Sequence, residues 1–302
     1  MTDAPARGRA GGKVILLGEH VVVYGRPAVA SGLPIGLEAE VVRGAGPALA
    51  SDVAADARGI DLVAAAARLV GLEPADWVVR IRSEIPPGQG LGSSAALCVA
   101  VLRALASAAG RVLGTPEEIA HGRTLEGIFH GTPSGIDPAA ATMASAFRFV
   151  RGEPPAIEAV VLGAPVPLVI GLGATARSTG AAVGGLRERW QADPARHEVL
   201  FDAVAVVVDE GVQALRRGDL VALGRAFDRN QTLLAELGVS SPDVERRVAS
   251  ARLAGALGAK LTGGGAGGAV IALVDASCRA AVVRALAGSG SRPLELVLRE
   301  RP

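Results

Sequence analysis

The segment Pro86-Pro87-Gly88-Gln89-Gly90-Leu91-Gly92-Ser93-Ser94-Ala95-Ala96 runs directly into the apolar stretch Leu97 to Leu105 and constrains this chain more than any other. Glycines on alternate positions let backbone N–H groups approach a ligand without side-chain obstruction, and a helix start adds free donors at the positive end of a dipole. Pro87, Gly88, Gln89, Gly90, Leu91, Gly92, Ser93 and Ser94 are therefore a candidate anion cradle, with a Ser hydroxyl able to ligate Mg²⁺ on a nucleotide phosphate. An ordinary strand-to-helix turn is the other reading of the same residues.

Other nucleotide signatures fail. Gly12-Lys13 is followed by Val14, and position 7 is Arg, so no Walker A motif is present. Gly263, Gly265 and Gly268 fit GxGxxG in LTGGGAGG, but AVIALV after them reads as a strand where a dinucleotide fingerprint needs a helix. That segment is taken as a tight turn that brings backbone close to something.

Charge narrows the chemistry. Only Lys13 and Lys260 are lysines among 31 basic residues, and both lie beside glycine-rich segments. A compact ammonium is not interchangeable with a guanidinium near a phosphate or a reacting hydroxyl, which is a reason to keep lysine at those two places. Glu126 and Asp137, eleven residues apart, supply a carboxylate pair: one to hold a metal, one to orient or deprotonate a hydroxyl. Solvated surface carboxylates remain the competing reading. With 31 basic and 30 acidic residues and no basic block, a nucleic-acid partner is not expected. Cys98 and Cys278 sit in no CxxC pattern, so a structural zinc site is not expected either. The uncharged stretches Ile85 to Leu102 and Ala159 to Ala176 contain Pro and Gly and read as core with turns rather than membrane spans. The N-terminus carries no secretory pattern.

The 302 residues suit one large or two ordinary domains of α+β class. Gly and Pro cluster between Val150 and Pro167, which places a boundary giving 1–158 and 159–302. Lys13 to Leu17 and Val21 to Tyr24 read as strand, turn, strand. Asp61 to Val70 reads as a helix and Trp77 to Ile81 as a strand. Thr115-Pro116-Glu117-Glu118 reads as a capping box for a helix to about Ile128, and HGTPSGIDP after it as loop. In the second half Leu168 to Gly171 opens as a strand, and Asp193-Pro194, Gly218-Asp219 and Ser241-Pro242 start helices. Strands at Ala259 to Thr262 and Ala269 to Val274, a helix from Ala276 to Leu286 and a strand at Leu294 to Leu298 complete it.

GGKVILLGEHVVVYGRPAVA, IPPGQGLGSSAA, IFHGTPSGID, TARSTGAAVGGLRER, LGVSSPDVE and KLTGGGAGGAVIAL occur in the order that characterises the GHMP small-molecule kinases, which the chain resembles from Gly11 to Val274. Within that family, GEHVVVYG with HGTPSGID is most similar to the members acting on mevalonate. The resemblance implies an N-terminal domain like domain 2 of ribosomal protein S5 and a ferredoxin-like C-terminal domain, with ATP and substrate between them. It further implies that Gly88 to Ser94 cradle the triphosphate and that Ser94 and Glu126 hold Mg²⁺. Asp137 would be the catalytic base, and Lys13 would lower the pKa of the attacking hydroxyl. Glu19, His20, Arg177 and Thr179 would face the substrate. A cytoplasmic location goes with the resemblance, which leaves a homodimer open. A GHMP kinase for another acceptor, such as phosphomevalonate or homoserine, and a nucleotide-binding pseudoenzyme stay open as alternatives. Gly11 replaces the family's usual proline and Pro138 its common asparagine.

Overall fold

The first strand, β1 (Ala6–Leu17), begins with strict alternation: Arg7 and Arg9 are exposed while Gly8 and Ala10 are buried. A Cβ on Gly8 would lie 2.3 Å from the Ala100 carbonyl oxygen, so only glycine lets this strand press against the helix after the glycine-rich segment. The structure, a computed structural model, describes residues 5–51, 57–129, 135–173, 179–264 and 268–300, excepting the side chains of 51 and 179–183.

After β1 come β2 (Ala28–Arg43), β3 (Ala48–Ser51), α1 (Ala57–Leu69), β4 (Trp77–Ser83), α2 (Ser93–Ala108), α3 (Thr115–Glu126) and α4 (Ile136–Met143). Then follow β5 (Ala146–Val150), β6 (Ala156–Ala159), β7 (Val166–Leu172), α5 (Thr179–Ala192), α6 (Pro194–Arg217), α7 (Leu220–Glu236) and α8 (Pro242–Leu253). The chain closes with β8 (Gly258–Leu261), β9 (Val270–Leu273), α9 (Arg279–Gly288) and β10 (Arg292–Leu298).

These elements form two compact units, neither continuous in sequence. One holds Met1–Lys13, Gly32–Pro87 and Leu91–Ala144; the other holds Val14–Ser31, Gly88–Gly90 and Ser145–Pro302. In the first unit β4 lies antiparallel to the later part of β2, from Leu37↔Ser83 to Arg43↔Trp77, and β3 runs parallel to β4. Helix α2 is its centre: from Ala95 to Ala106 nearly every residue is buried, and α1, α3 and α4 pack around it. Small alanines permit that close helix packing. In the second unit a four-stranded antiparallel sheet has the order β10-β7-β9-β8, and α7 and α8 pack against β8 while α9 packs against β10 and β7.

Local chemistry accounts for the helix starts in the second unit. Asp193, Asp219 and Ser241 each accept the N–H three residues on, from Arg196, Ala222 and Val244. Elsewhere tertiary contacts overrule local pattern. Val21–Tyr24 is a 3₁₀ turn and not the expected strand, because Gly18 (φ 87°) and His20 (φ 65°) turn the chain through left-handed conformations just before it. The capping box at Thr115 does not form. Gly114 is the N-cap, and Glu118 is drawn to the guanidinium of Arg103 on α2, with nitrogen–oxygen distances of 2.6 to 3.1 Å. Arg103 also donates to the carbonyls of Arg9 and Thr142, which ties β1, α2, α3 and α4 together. The segment containing Asp137 and Pro138, expected as loop, is the first turn of α4; a proline is tolerated there because its missing N–H has no helical acceptor.

Both cysteines are buried and free. Among the described residues no helix is long and apolar enough to cross a membrane.

Candidate active site

Gly88, Gly90 and Gly92 all adopt positive φ, at 68°, 73° and 75°, so the loop before α2 winds through left-handed positions that L side chains rarely take. Gly92 is the N-cap of α2 and offers no side-chain acceptor, which leaves the first-turn N–H groups outside the intrahelical ladder. Gly92 is constrained a second way. A Cβ there would sit 2.4 Å from Lys13 Cγ, so the loop wraps directly over the lysine stem. The Lys13 N–H also donates to the Leu91 carbonyl at 2.8 Å, which fixes strand β1 to the loop by a main-chain bond.

The Lys13 ammonium meets Asp137 Oδ1 at 3.0 Å. Its side chain is only 8% exposed, whereas that of Asp137 is 26% exposed, so the pair is sealed on the lysine side and open on the carboxylate side. Asp137 lies in the first turn of α4, where the helix dipole favours an anion. Glu126 has the opposite setting, at the last position of α3 and nearly buried. Burial foremost, and then the Asp137 charge, push its carboxyl up to about 8, against the pull of Lys13. Burial and the neighbouring Glu126 likewise raise the Cys98 thiol, which keeps that thiol protonated and unreactive. Lys13, Glu126, Asp137 and the start of α2 with Ser93 and Ser94 lie together within the first unit. Among the described residues no three His, Cys, Asp or Glu side chains gather into a metal cage.

The acceptor-side residues divide. Glu19, expected to touch substrate, is fully buried in the second unit, with one carboxylate oxygen on the Lys260 ammonium and the other accepting from Asn230 Nδ2 at 3.1 Å. The geometry assigns it an internal contact instead, because no part of it is left for solvent or ligand. His20 follows it, 6% exposed and held at positive φ. Arg177 lies outside the described residues, and Thr179 opens α5 with its side chain outside them. Lys260 was singled out by residue type and by its place beside a glycine-rich segment. Its partner is 241 residues away and no local pattern names it.

Residues 58–146 match the GHMP kinases N terminal domain and residues 212–291 the GHMP kinases C terminal domain. The chain is 32% identical to the mevalonate kinase of Pyrococcus abyssi, over 97% of this chain and 94% of that protein. Among solved structures, L. major mevalonate kinase in complex with R-mevalonate superposes with a TM-score of 0.85 at 29% identity, covering 99% of this chain and 96% of that one. Methanococcus jannaschii mevalonate kinase, at 21% identity, shares the fold over the full length of both chains with a TM-score of 0.84.

Proposed function

The chain belongs to the GHMP kinase family, and from that premise we propose that it transfers the γ-phosphoryl group of ATP to the 5-hydroxyl of mevalonate, yielding 5-phosphomevalonate and ADP. The observation that carries the chemistry is the Lys13–Asp137 pair at 3.0 Å, open on its carboxylate side, with Gly92 over the lysine stem and Glu126 beside it. The full-length likeness to mevalonate kinases, one of them bound to mevalonate, supports the acceptor.

Phosphoryl transfer asks a protein for alignment and charge neutralisation more than for covalent help. Asp137 accepts the hydroxyl proton as the oxygen attacks. Lys13, paired with Asp137, offsets the charge that develops on the oxygen. The left-handed glycines and the first turn of α2 present N–H groups to the phosphate oxygens.

Magnesium fits this donor set. A carboxyl held up at about 8 beside a second carboxylate lacks positive charge, which a divalent cation supplies. Mg²⁺ binds through one or two carboxylates together with substrate phosphates, which is the number of carboxylates this site offers. Glu126 and the Ser94 hydroxyl would hold it, and it would neutralise charge on the transferring phosphates.

Arg177 is the candidate grip for the mevalonate carboxylate, since a guanidinium offers two parallel hydrogen bonds, with Thr179 and His20 completing the acceptor side. Arg177→Lys should raise KM for mevalonate more than for ATP; an equal effect on both, or on neither, removes that role. The two family matches fall on either side of the division into 1–158 and 159–302, whereas the compact units differ from it in placing Val14–Ser31, Gly88–Gly90 and the residues from Ser145 together. A cytoplasmic location and a homodimer go with this reading, the latter measurable by light scattering.

A coupled ADP-release assay over mevalonate, phosphomevalonate, homoserine and galactose tests the activity. Turnover with mevalonate well above the others is expected. Preference for another alcohol reassigns the acceptor, and ADP release with none supports a nucleotide-binding pseudoenzyme.

A further inference from the structure

A fully buried ion pair lies outside the mechanism just described. Lys260, at the third position of β8, has no exposed surface, and neither has Glu19. The Lys260 ammonium donates to Glu19 Oε1 and, at 2.6 Å, to the carbonyl of Leu261, and it lies 5.9 Å from the centre of the Phe227 ring. Helix α7 presents Phe227, Asn230 and Gln231, at i, i+3 and i+4, to this pair. Asn230 donates to Glu19 Oε2 and accepts from the Gly18 N–H at 3.4 Å, and Gln231 accepts from the Leu261 N–H at 2.8 Å. Two residues after Lys260, Thr262 exchanges two hydrogen bonds with the main chain of Ile15, at 2.9 and 3.2 Å. The end of β1, the corner Gly18-Glu19-His20 and the end of β8 are thereby bound into one buried polar frame.

That corner needs such a frame. A Cβ on Gly18 would meet the Pro27 carbonyl oxygen at 2.5 Å, and His20 is a non-glycine residue at φ 65°, a conformation that persists only where its surroundings over-determine it. A buried pair contributes little net stability compared with apolar side chains of the same volume, so its value lies in specifying one arrangement. In a chain that uses arginine almost everywhere else, Lys260 is fully enclosed, in a setting where a compact ammonium and a planar guanidinium are not interchangeable.

We propose that Lys260 is a positioning residue: acting through Glu19, it holds the Gly18–His20 corner so that His20 is set for the acceptor. That His20 faces an acceptor rests on the mevalonate reading; the frame that holds the Gly18–His20 corner does not.

The test uses the full chain as Lys260→Met, Asn230→Ala and the double variant Glu19→Gln/Lys260→Met. The double variant removes both buried charges and keeps an acceptor for Asn230, so it should fold even if Lys260→Met does not. In it, KM for mevalonate should rise about tenfold or more while KM for ATP stays within about twofold, a split that a mere loss of folded enzyme would not produce. Asn230→Ala should move KM for mevalonate the same way by less. In ¹H–¹³C spectra without substrate, the His20 ring signal, one of four histidines, should broaden or split in the variants. A folded double variant with wild-type KM for mevalonate and a sharp His20 signal overturns the proposal. So does a fall in kcat with both KM values and the His20 signal unchanged. A wild type that phosphorylates none of the alcohols fails the mevalonate reading, while the His20 signal still decides the positioning.

Discussion

The two lysines of this chain stand in two differently built lysine–carboxylate pairs, and the contrast between them separates chemistry from architecture. Lys13 meets an Asp137 side chain that keeps 26% of its surface exposed, whereas Lys260 meets a Glu19 that keeps none. A carboxylate with an open face can accept a proton from something that arrives. A carboxylate whose two oxygens are taken by Lys260 and Asn230 can only hold its neighbours. Burial pulls the pair of the second unit toward neutrality from both sides, raising Glu19 and lowering Lys260, and their mutual attraction opposes it. Sequence distance differs as well. Lys13 and Asp137 lie 124 residues apart, while Lys260 reaches 241 residues back to Glu19.

The comparison is most exposed to removal of one partner of the sealed pair. Lys260→Met strands a buried carboxylate and should cost about 3–5 kcal/mol of stability in urea denaturation, with most of the loss recovered in Glu19→Gln/Lys260→Met. A single variant as stable as wild type would show that the pair is not sealed. In the open pair the cost should appear in rate instead: Asp137→Asn should lower kcat by at least about 10²-fold and leave ATP affinity by calorimetry largely intact. Turnover near wild type would remove Asp137 from the reaction.

Two smaller effects sharpen the description of the open site. Gly90→Ala and Gly92→Ala carry the same left-handed penalty, about 1–2 kcal/mol, but only at Gly92 does the new Cβ meet Lys13, since nothing lies within 4 Å of that position at Gly90. Gly92→Ala should therefore lower kcat beyond what Gly90→Ala does, and equal effects would detach Lys13 from the loop. The last concerns pH. Because the folded carboxyl of Glu126 titrates near 8 and its ordinary value is 4.5, the folded chain holds a proton there that the unfolded chain has released. Stability from this group is complete below 4.5 and is lost as pH rises toward 8. Glu126→Gln should flatten the wild-type decline in urea midpoint between pH 5 and 8; an unchanged slope would mean that Glu126 ionises freely.

What was legible in the sequence was local. The caps at Asp193, Asp219 and Ser241 form as read, because a cap bonds an N–H only three residues away. The same reasoning failed at Thr115, where Glu118 had a better partner in Arg103 on another helix. β2, sixteen residues long, was not among the strands read from the sequence; it passes so close to the end of α4 that a Cβ at Gly32 would strike Ala144 Cα at 2.5 Å. In the site, motif order brought Lys13, Ser94, Glu126 and Asp137 to attention, but it could not tell Glu19 from a substrate contact.

The sequence by itself determined the glycine loop, the helix starts of the second half and the family, since these depend on residue type and short spacing. Tertiary structure alone decided which carboxylate stays open and which is sealed, and that Lys260 serves the frame rather than the phosphate. The reason is desolvation. An ionised side chain takes its role from what surrounds it on every side, and here the surrounding groups on Asn230, Phe227 and Leu261 are brought to Glu19 from more than two hundred residues away.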